Sequence, residues 1–154
     1  MSRTAAVVGA GIFGSSLAYR LARDGWDVTL YERHEPGHER SASGGESRLI
    51  RYAHGSDLWY TRSAWRAREL WRELEADTGR ELLVDCGVVW FARSDDGWEA
   101  QSEAVLRAEG IPVERLAAEK GQRFFPSFDP SDLEFIVHEP EGGVLRAAEA
   151  TRAT

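Results

Sequence analysis

The 154-residue chain is short of several things, and each shortage excludes a class of protein. It has one cysteine, Cys86, so it can form neither an internal disulfide nor a cysteine pair for a metal. That points to a reduced, cytoplasmic setting. No apolar run approaches the roughly 18 residues that span a bilayer. The apolar stretch from Ala5 to Leu17 is broken by three glycines and has no cleavage-site pattern after it, which argues against a signal peptide. There is one lysine, Lys120, against 18 arginines, and the 26 acidic residues leave a net charge of −7. So acidic a chain is a poor partner for nucleic acid. Internal repeats and low-complexity linkers are also missing. What is there is 42% hydrophobic, enough for a folded core.

Hydrophobic patterning predicts a buried strand at Ala5–Val8, a helix over Ile12–Arg23 and a second strand at Trp26–Tyr31. Strand, helix and strand within about 30 residues imply parallel strands and a right-handed crossover. Residues 33–56 read as a loop, with a short strand at Arg48–Tyr52. A helix follows over Leu58–Asp77 with Tyr60, Ala64, Ala67, Trp71 and Leu74 on one face, stopped by Gly79. Strands are expected at Val88–Ala92 and Leu133–Val137, and a helix over Gly97–Glu109. A last helical pattern runs from Arg146 to Thr154 without a C-cap, so the chain is expected to stop inside an element of a longer protein.

Gly9-Ala10-Gly11-Ile12-Phe13-Gly14 fits GxGxxG, with a strand before it, a helix after it and Glu32 at the end of the next strand. Gly9 permits the tight turn, Gly11 lets the backbone approach a pyrophosphate, and Gly14 lets helix and strand pack closely. The N–H groups and dipole at the helix start, around Ile12 and Phe13, favour phosphate. Glu32 can accept both hydroxyls of an adenosine ribose, which disfavours a 2′-phosphate; Arg33 follows it. The competing reading is a tight turn that binds nothing. In a simple NAD domain a third parallel strand comes soon after Glu32. Here about 25 residues of loop intervene, which favours FAD.

Arg48-Leu49-Ile50-Arg51 sets two apolar residues between two cations, as for an anion or an electron-rich ring in a partly desolvated place. The alternative is that both arginines form salt bridges with Glu39, Glu46 or Asp57.

The segment Ser41–Gly55, with the GxGxxG turn and the acidic strand end, resembles the sarcosine oxidase and N-methyltryptophan oxidase branch of the D-amino-acid-oxidase-like FAD oxidoreductases. The similarity continues through Leu70–Glu75 and Gly87-Val88 to Gly142–Leu145. It implies an α/β fold: a Rossmann-like FAD-binding βαβ unit plus the start of an α+β substrate domain, truncated. Residues 1–80 would be the N-terminal part of the FAD domain and 81–145 part of the substrate domain. Residues 146–154 would begin a helix returning to the FAD domain. It also implies oxidation of the C–N bond of an N-methyl or secondary amino acid. Hydride passes to flavin, with O2 as acceptor and hydrogen peroxide as product. Arg51 matches the arginine that pairs with the substrate carboxylate, and Arg48 the one near the flavin ring. These two form the candidate catalytic pair. The cofactor set is Gly9, Gly11, Ile12, Phe13, Gly14, Glu32, Arg33, Ser43, Gly45, Ser47 and Arg48. Some relatives carry histidine just before the arginine step, where this chain has Ser43-Gly44-Gly45; His54 lies after it and reads as a polar loop residue. The family's oxygen-activating lysine and flavin-attaching cysteine match nothing here, since Lys120 reads as surface and Cys86 does not fit.

Trp65, Trp71, Trp90 and Phe124-Phe125-Pro126 read as packing residues. His34 and His38 lack metal-ligand spacing, and no metal is assigned. Two rival readings stand beside the oxidase: a nucleotide-binding module or inactive fragment, and an NAD-dependent dehydrogenase.

Overall fold

In the computed structural model, residues 3–154 are described, and they form two compact units. In chain order the elements are β1 (Thr4–Val8), α1 (Ile12–Arg23), β2 (Asp27–Tyr31), β3 (Arg48–Ile50), α2 (Leu58–Thr78), β4 (Leu83–Val84) and β5 (Val88–Ala92). Then follow α3 (Trp98–Ala108), β6 (Glu114–Ala117), a 3-10 turn (Ala118–Arg123), β7 (Phe135–Glu139), β8 (Gly143–Leu145) and α4 (Ala147–Ala153). One unit comprises residues 3–48, 71–84 and 145–154; the other comprises 49–70 and 85–144.

The first unit is built on the expected βαβ motif. β1 and β2 run parallel, in register from Thr4 beside Asp27 to Val8 beside Tyr31. α1 packs on both strands and on α4. Its polypeptide stops where Gly25 turns into the left-handed region, which glycine enters without a Cβ penalty. β1 is not the fully buried strand the apolar run suggests. Val7 is buried, but Val8 on the opposite face is 86% exposed. Successive side chains of a strand point to opposite faces, and α1 covers only one of them. A run of four apolar residues does not distinguish these cases.

The second unit centres on an antiparallel sheet in the order β5-β7-β6. All five residues of β7 are buried. The sequence places this strand two residues earlier, at Leu133. The structure starts it at Phe135 because Leu133 still closes a turn, its N–H donating to the Pro130 carbonyl. Its end runs on through His138 and Glu139, polar residues that the count of apolar positions leaves out. Ala92, Phe135 and Val137 form one cluster; Tyr52, Ala53, Leu106 and Ile111 form another, with Trp65 and Trp90 packed against it.

α2 buries most of the expected face: Leu74 is 3% exposed, and Ala64, Ala67 and Trp71 are half-buried. Its first turn departs from that face, with Tyr60 54% exposed and Thr61 beside it buried. There Trp65 meets the Tyr52 ring edge-on at 4.9 Å, and Arg68 pairs with Asp85 and Glu141 at 3.1 and 2.7 Å. Strands β4 and β8 are too short, and β6 too polar, to register as strands by pattern.

Candidate functional site

The turn between β1 and α1 has the shape its glycines imply. Gly9 lies at φ +97°, where an L side chain is strained. A Cβ on Gly14 would collide with the Gly9 carbonyl oxygen. Gly11 is different. Its backbone is extended, at φ −71° and ψ 176°, and a Cβ there would meet only Ser43 Oγ, at 3.6 Å. Nothing in the protein itself requires glycine at 11, and the bare backbone there leaves room for a pyrophosphate to lie close against it. Gly11, the N-cap of α1, offers no side-chain cap, and the dipole at this helix start favours an anion. Ile12 is half-buried, and its N–H donates to Ser43 Oγ at 2.8 Å. Phe13 is 91% exposed.

Glu32 closes β2 beside this turn. It accepts the Ala10 N–H at 2.7 Å through one oxygen and the His34 N–H at 2.9 Å through the other. These donors, Ala10 first, hold its carboxyl below the usual carboxylate range. An ionised carboxylate fixed in this way keeps lone pairs for two ribose hydroxyls. The residues present therefore fit the ADP half of FAD. Arg33 is exposed beside Glu32.

Ser43 is buried, while Gly45, Ser47 and Arg48 are exposed. Gly45 lies at φ +89°, and its carbonyl accepts the Ala148 N–H. Arg48 folds back on this loop. It donates to the carbonyls of Ser47, Ala42 and Gly44 at 2.7, 2.7 and 2.8 Å. In the protein alone its guanidinium is the loop's clasp.

Arg51, in the second unit, is half-buried. It donates to the Ala53 carbonyl and comes within 3.5 Å of His54 Nδ1. Its guanidinium carbon lies 5.3 Å from the centre of the Trp90 ring and 5.7 Å from that of Trp98. Among the described residues, neither Arg48 nor Arg51 forms an ion pair, so the salt bridges to Glu39, Glu46 or Asp57 are not made. A half-buried guanidinium on an aromatic floor, without an acid, is suited to a planar anion.

The model of the family described as FAD dependent oxidoreductase, the DAO family, matches residues 4–154. The chain belongs to this family. Among curated DAO-family relatives, the chain is 29% identical over 148 residues to monomeric sarcosine oxidase of Bacillus sp. (strain B-0618). That match covers 96% of this chain and 38% of the relative. It is 30% identical over 146 residues to N-methyl-L-tryptophan oxidase of Yersinia pestis (strain Pestoides F), covering 95% and 39%. The chain thus spans about two fifths of the length of the curated relatives it matches. Its fold is similar to that of L-proline dehydrogenase from P. horikoshii, with a TM-score of 0.83 at 24% identity. That match covers 99% of this chain and 40% of that one.

Four residues around Arg51 were not legible as a group. Trp90 and Trp98 meet edge-on at 4.9 Å and form its floor. His54 stacks on Tyr60 at 5.6 Å; burial, and then the Arg51 charge, push its pKa down. Glu139 is fully buried, and its carboxylate accepts N–H groups from Tyr52, Ala53 and Trp90. β7 is buried on both faces, so its sequence carries no alternation that would flag His138 and Glu139 as buried polar groups. Nothing local ties either of them to position 51. His34 and His38 stack on each other at 4.3 Å.

Proposed function

We propose that this DAO-family chain supplies the ADP-binding turn and the substrate-carboxylate arginine of an FAD-dependent amino-acid oxidoreductase. The substrate class is an N-methyl or secondary amino acid, oxidised at the C–N bond. The observation that carries the substrate half is Arg51, a half-buried guanidinium laid on Trp90 and Trp98 with no acid partner among the described residues. Names of the relatives at about 30% identity support the same class.

Each residue has a physical task. Gly11 and the start of α1 take the pyrophosphate, and Glu32 takes the adenosine ribose. Ser43, Gly45 and Ser47 form the loop along the cofactor, and Arg48 keeps that loop in shape. Bound FAD supplies the acceptor for the hydride leaving the carbon next to nitrogen, with O2 taking the electrons and hydrogen peroxide as product. Arg51 orients the substrate by a two-pronged hold on its carboxylate. The indoles beneath it exclude water and strengthen that hold. The long loop after Glu32, and membership in an FAD-dependent family, weigh against a nicotinamide dehydrogenase.

The test is a titration of the purified chain with FAD, followed by gel filtration and a visible spectrum, then by addition of N-methylglycine. Retained flavin bands are expected. Arg51→Ala should keep FAD yet weaken the amino acid by about 1.5–3 kcal/mol, the range for a lost charged hydrogen bond. Equal affinity in both proteins would remove Arg51 from the substrate site. Loss of FAD binding by the chain itself would mean that these residues alone do not complete the cofactor site.

A further inference from the structure

Glu139 ends β7 with no exposed surface. Burial pushes its pKa up, opposed by the Trp90 indole, the N–H groups of Tyr52 and Ala53, and the charge of Arg51. Three donors converge on two oxygens. One oxygen accepts the Tyr52 N–H at 2.6 Å and the Ala53 N–H at 3.0 Å; the other accepts the Trp90 indole N–H at 2.5 Å. No donor is needed from the carboxyl itself, so the ionised form fits the site. It makes no ion pair among the described residues, and the Trp90 indole N–H, followed by the backbone N–H groups of Tyr52 and Ala53, compensates its burial.

Every one of these contacts bears on Arg51. Tyr52 and Ala53 are the two residues after it in the chain. The Ala53 carbonyl receives its guanidinium. The Trp90 ring is its floor. Thus one buried carboxylate, 88 positions away in sequence, holds the N–H of the residue whose carbonyl receives Arg51 and the indole on which Arg51 rests. We infer that Glu139 is the positioning residue for Arg51: it sets the direction of the guanidinium without touching substrate. A simple core glutamate would satisfy its donors without all three leading to the same side chain. The inference rests on the reading of Arg51 as a carboxylate-binding group.

Glutamine at 139 keeps the volume but offers one accepting oxygen to three donors. At least one N–H is then left facing an amide NH2 group, and its anchor is lost. The experiment uses the 154-residue chain labelled with 15N. It reads the guanidinium Nε–H signal of Arg51, identified by its loss in Arg51→Met, and the affinity for acetate. In the unsubstituted chain, ring currents of Trp90 and Trp98 displace that signal from the ordinary arginine position. In Glu139→Gln, with backbone amide dispersion retained, the signal should return toward that position. Acetate affinity should fall about tenfold, the size of one lost charge-assisted hydrogen bond.

An unmoved Arg51 signal in a folded Glu139→Gln protein overturns the proposal. If that variant does not fold, Glu139→Asp decides. It keeps both indoles and the charge but draws the carboxylate back from the Tyr52, Ala53 and Trp90 donors, so the Arg51 signal should move; a fixed signal again overturns the inference. If the signal moves in Glu139→Gln while Arg51→Met binds acetate as the unsubstituted chain does, the positioning role is supported and the carboxylate reading of Arg51 fails.

Discussion

Ser43 Oγ accepts the N–H of Ile12 at 2.8 Å, 31 residues back along the chain. The first turn of α1 is thereby capped by the loop rather than by its own first residue. Ser43 is buried, so Ser43→Ala leaves a helix-start N–H without its acceptor. The expected loss is about 1 kcal/mol of stability, read as a lower midpoint in urea. An unchanged midpoint would mean that water or a neighbour replaces the hydroxyl.

Two of the motif glycines should separate cleanly by experiment. Gly11→Ala adds a methyl in ordinary contact with Ser43 Oγ, so its stability should stay within about 0.5 kcal/mol of the parent. Its FAD affinity should drop by tenfold or more, since about 1.4 kcal/mol of lost phosphate contact suffices. Gly14→Ala should instead destabilise the fold, because its methyl meets the Gly9 carbonyl. Equal unfolding midpoints for the two variants would contradict this division.

The division also shows what the sequence could carry. The βαβ unit was legible because its signals are local: Gly9, Gly11 and Gly14 at fixed spacing, the period of α1, and Glu32 one strand later. The exposure of Val8 was not legible, since it depends on which face of β1 the helix covers. The exposure of Tyr60 at the start of α2 goes with Trp65 meeting Tyr52, a contact between separate elements. The surroundings of Arg51 are the extreme case. Ala53, Trp90, Trp98 and Glu139 come from four places in the chain, and only the fold brings them together.

His54 gives the second unit a pH response. Burial, then the neighbouring Arg51 charge, lowers its pKa from the ordinary 6.5, while Asp57 pulls the other way. A depressed folded-state pKa means that its contribution to stability is present above about 6.5 and is lost as pH falls through the folded-state value. A carboxylate on Arg51 offsets the positive charge that His54 feels. Acetate should therefore raise the His54 pKa, and by linkage it should bind more tightly as the pH is lowered through the His54 titration. Proton NMR of the imidazole with and without acetate measures this. An imidazole titration that ignores acetate would place the anion elsewhere.

Glu75 should set the acid limit of the first unit. Burial alone would raise its pKa, yet the Leu83 N–H, the Arg72 guanidinium and the Leu82 N–H together draw it below 4.5. The carboxylate accepts those two N–H groups at 2.8 and 2.6 Å and the guanidinium at 2.6 Å. A lowered folded-state pKa gives stability that is present above about 4.5 and is lost as pH falls through the folded-state value. Glu75→Gln should flatten the stability profile between pH 5 and about 3, within the range where paired carboxylates protonate. Circular dichroism melts across that range test it, and a parallel profile for both proteins would assign the acid limit to other groups.

The βαβ unit leaves apolar side chains uncovered on both of its layers. Val8 and Tyr31, partners in register at the ends of β1 and β2, are 86% and 57% exposed. Phe13 and Leu17, one turn apart on α1, are 91% and 52% exposed. Residues four apart on a helix share a face, so Phe13 and Leu17 form a stripe rather than scattered points. Exposed stripes of this kind drive association. Sedimentation of the chain should show self-association that rises with concentration. Leu17→Lys should reduce it without lowering the melting temperature, because Leu17 contributes little buried area. Association unchanged by Leu17→Lys but abolished by Val8→Lys would move the contact from the helix to the strand face.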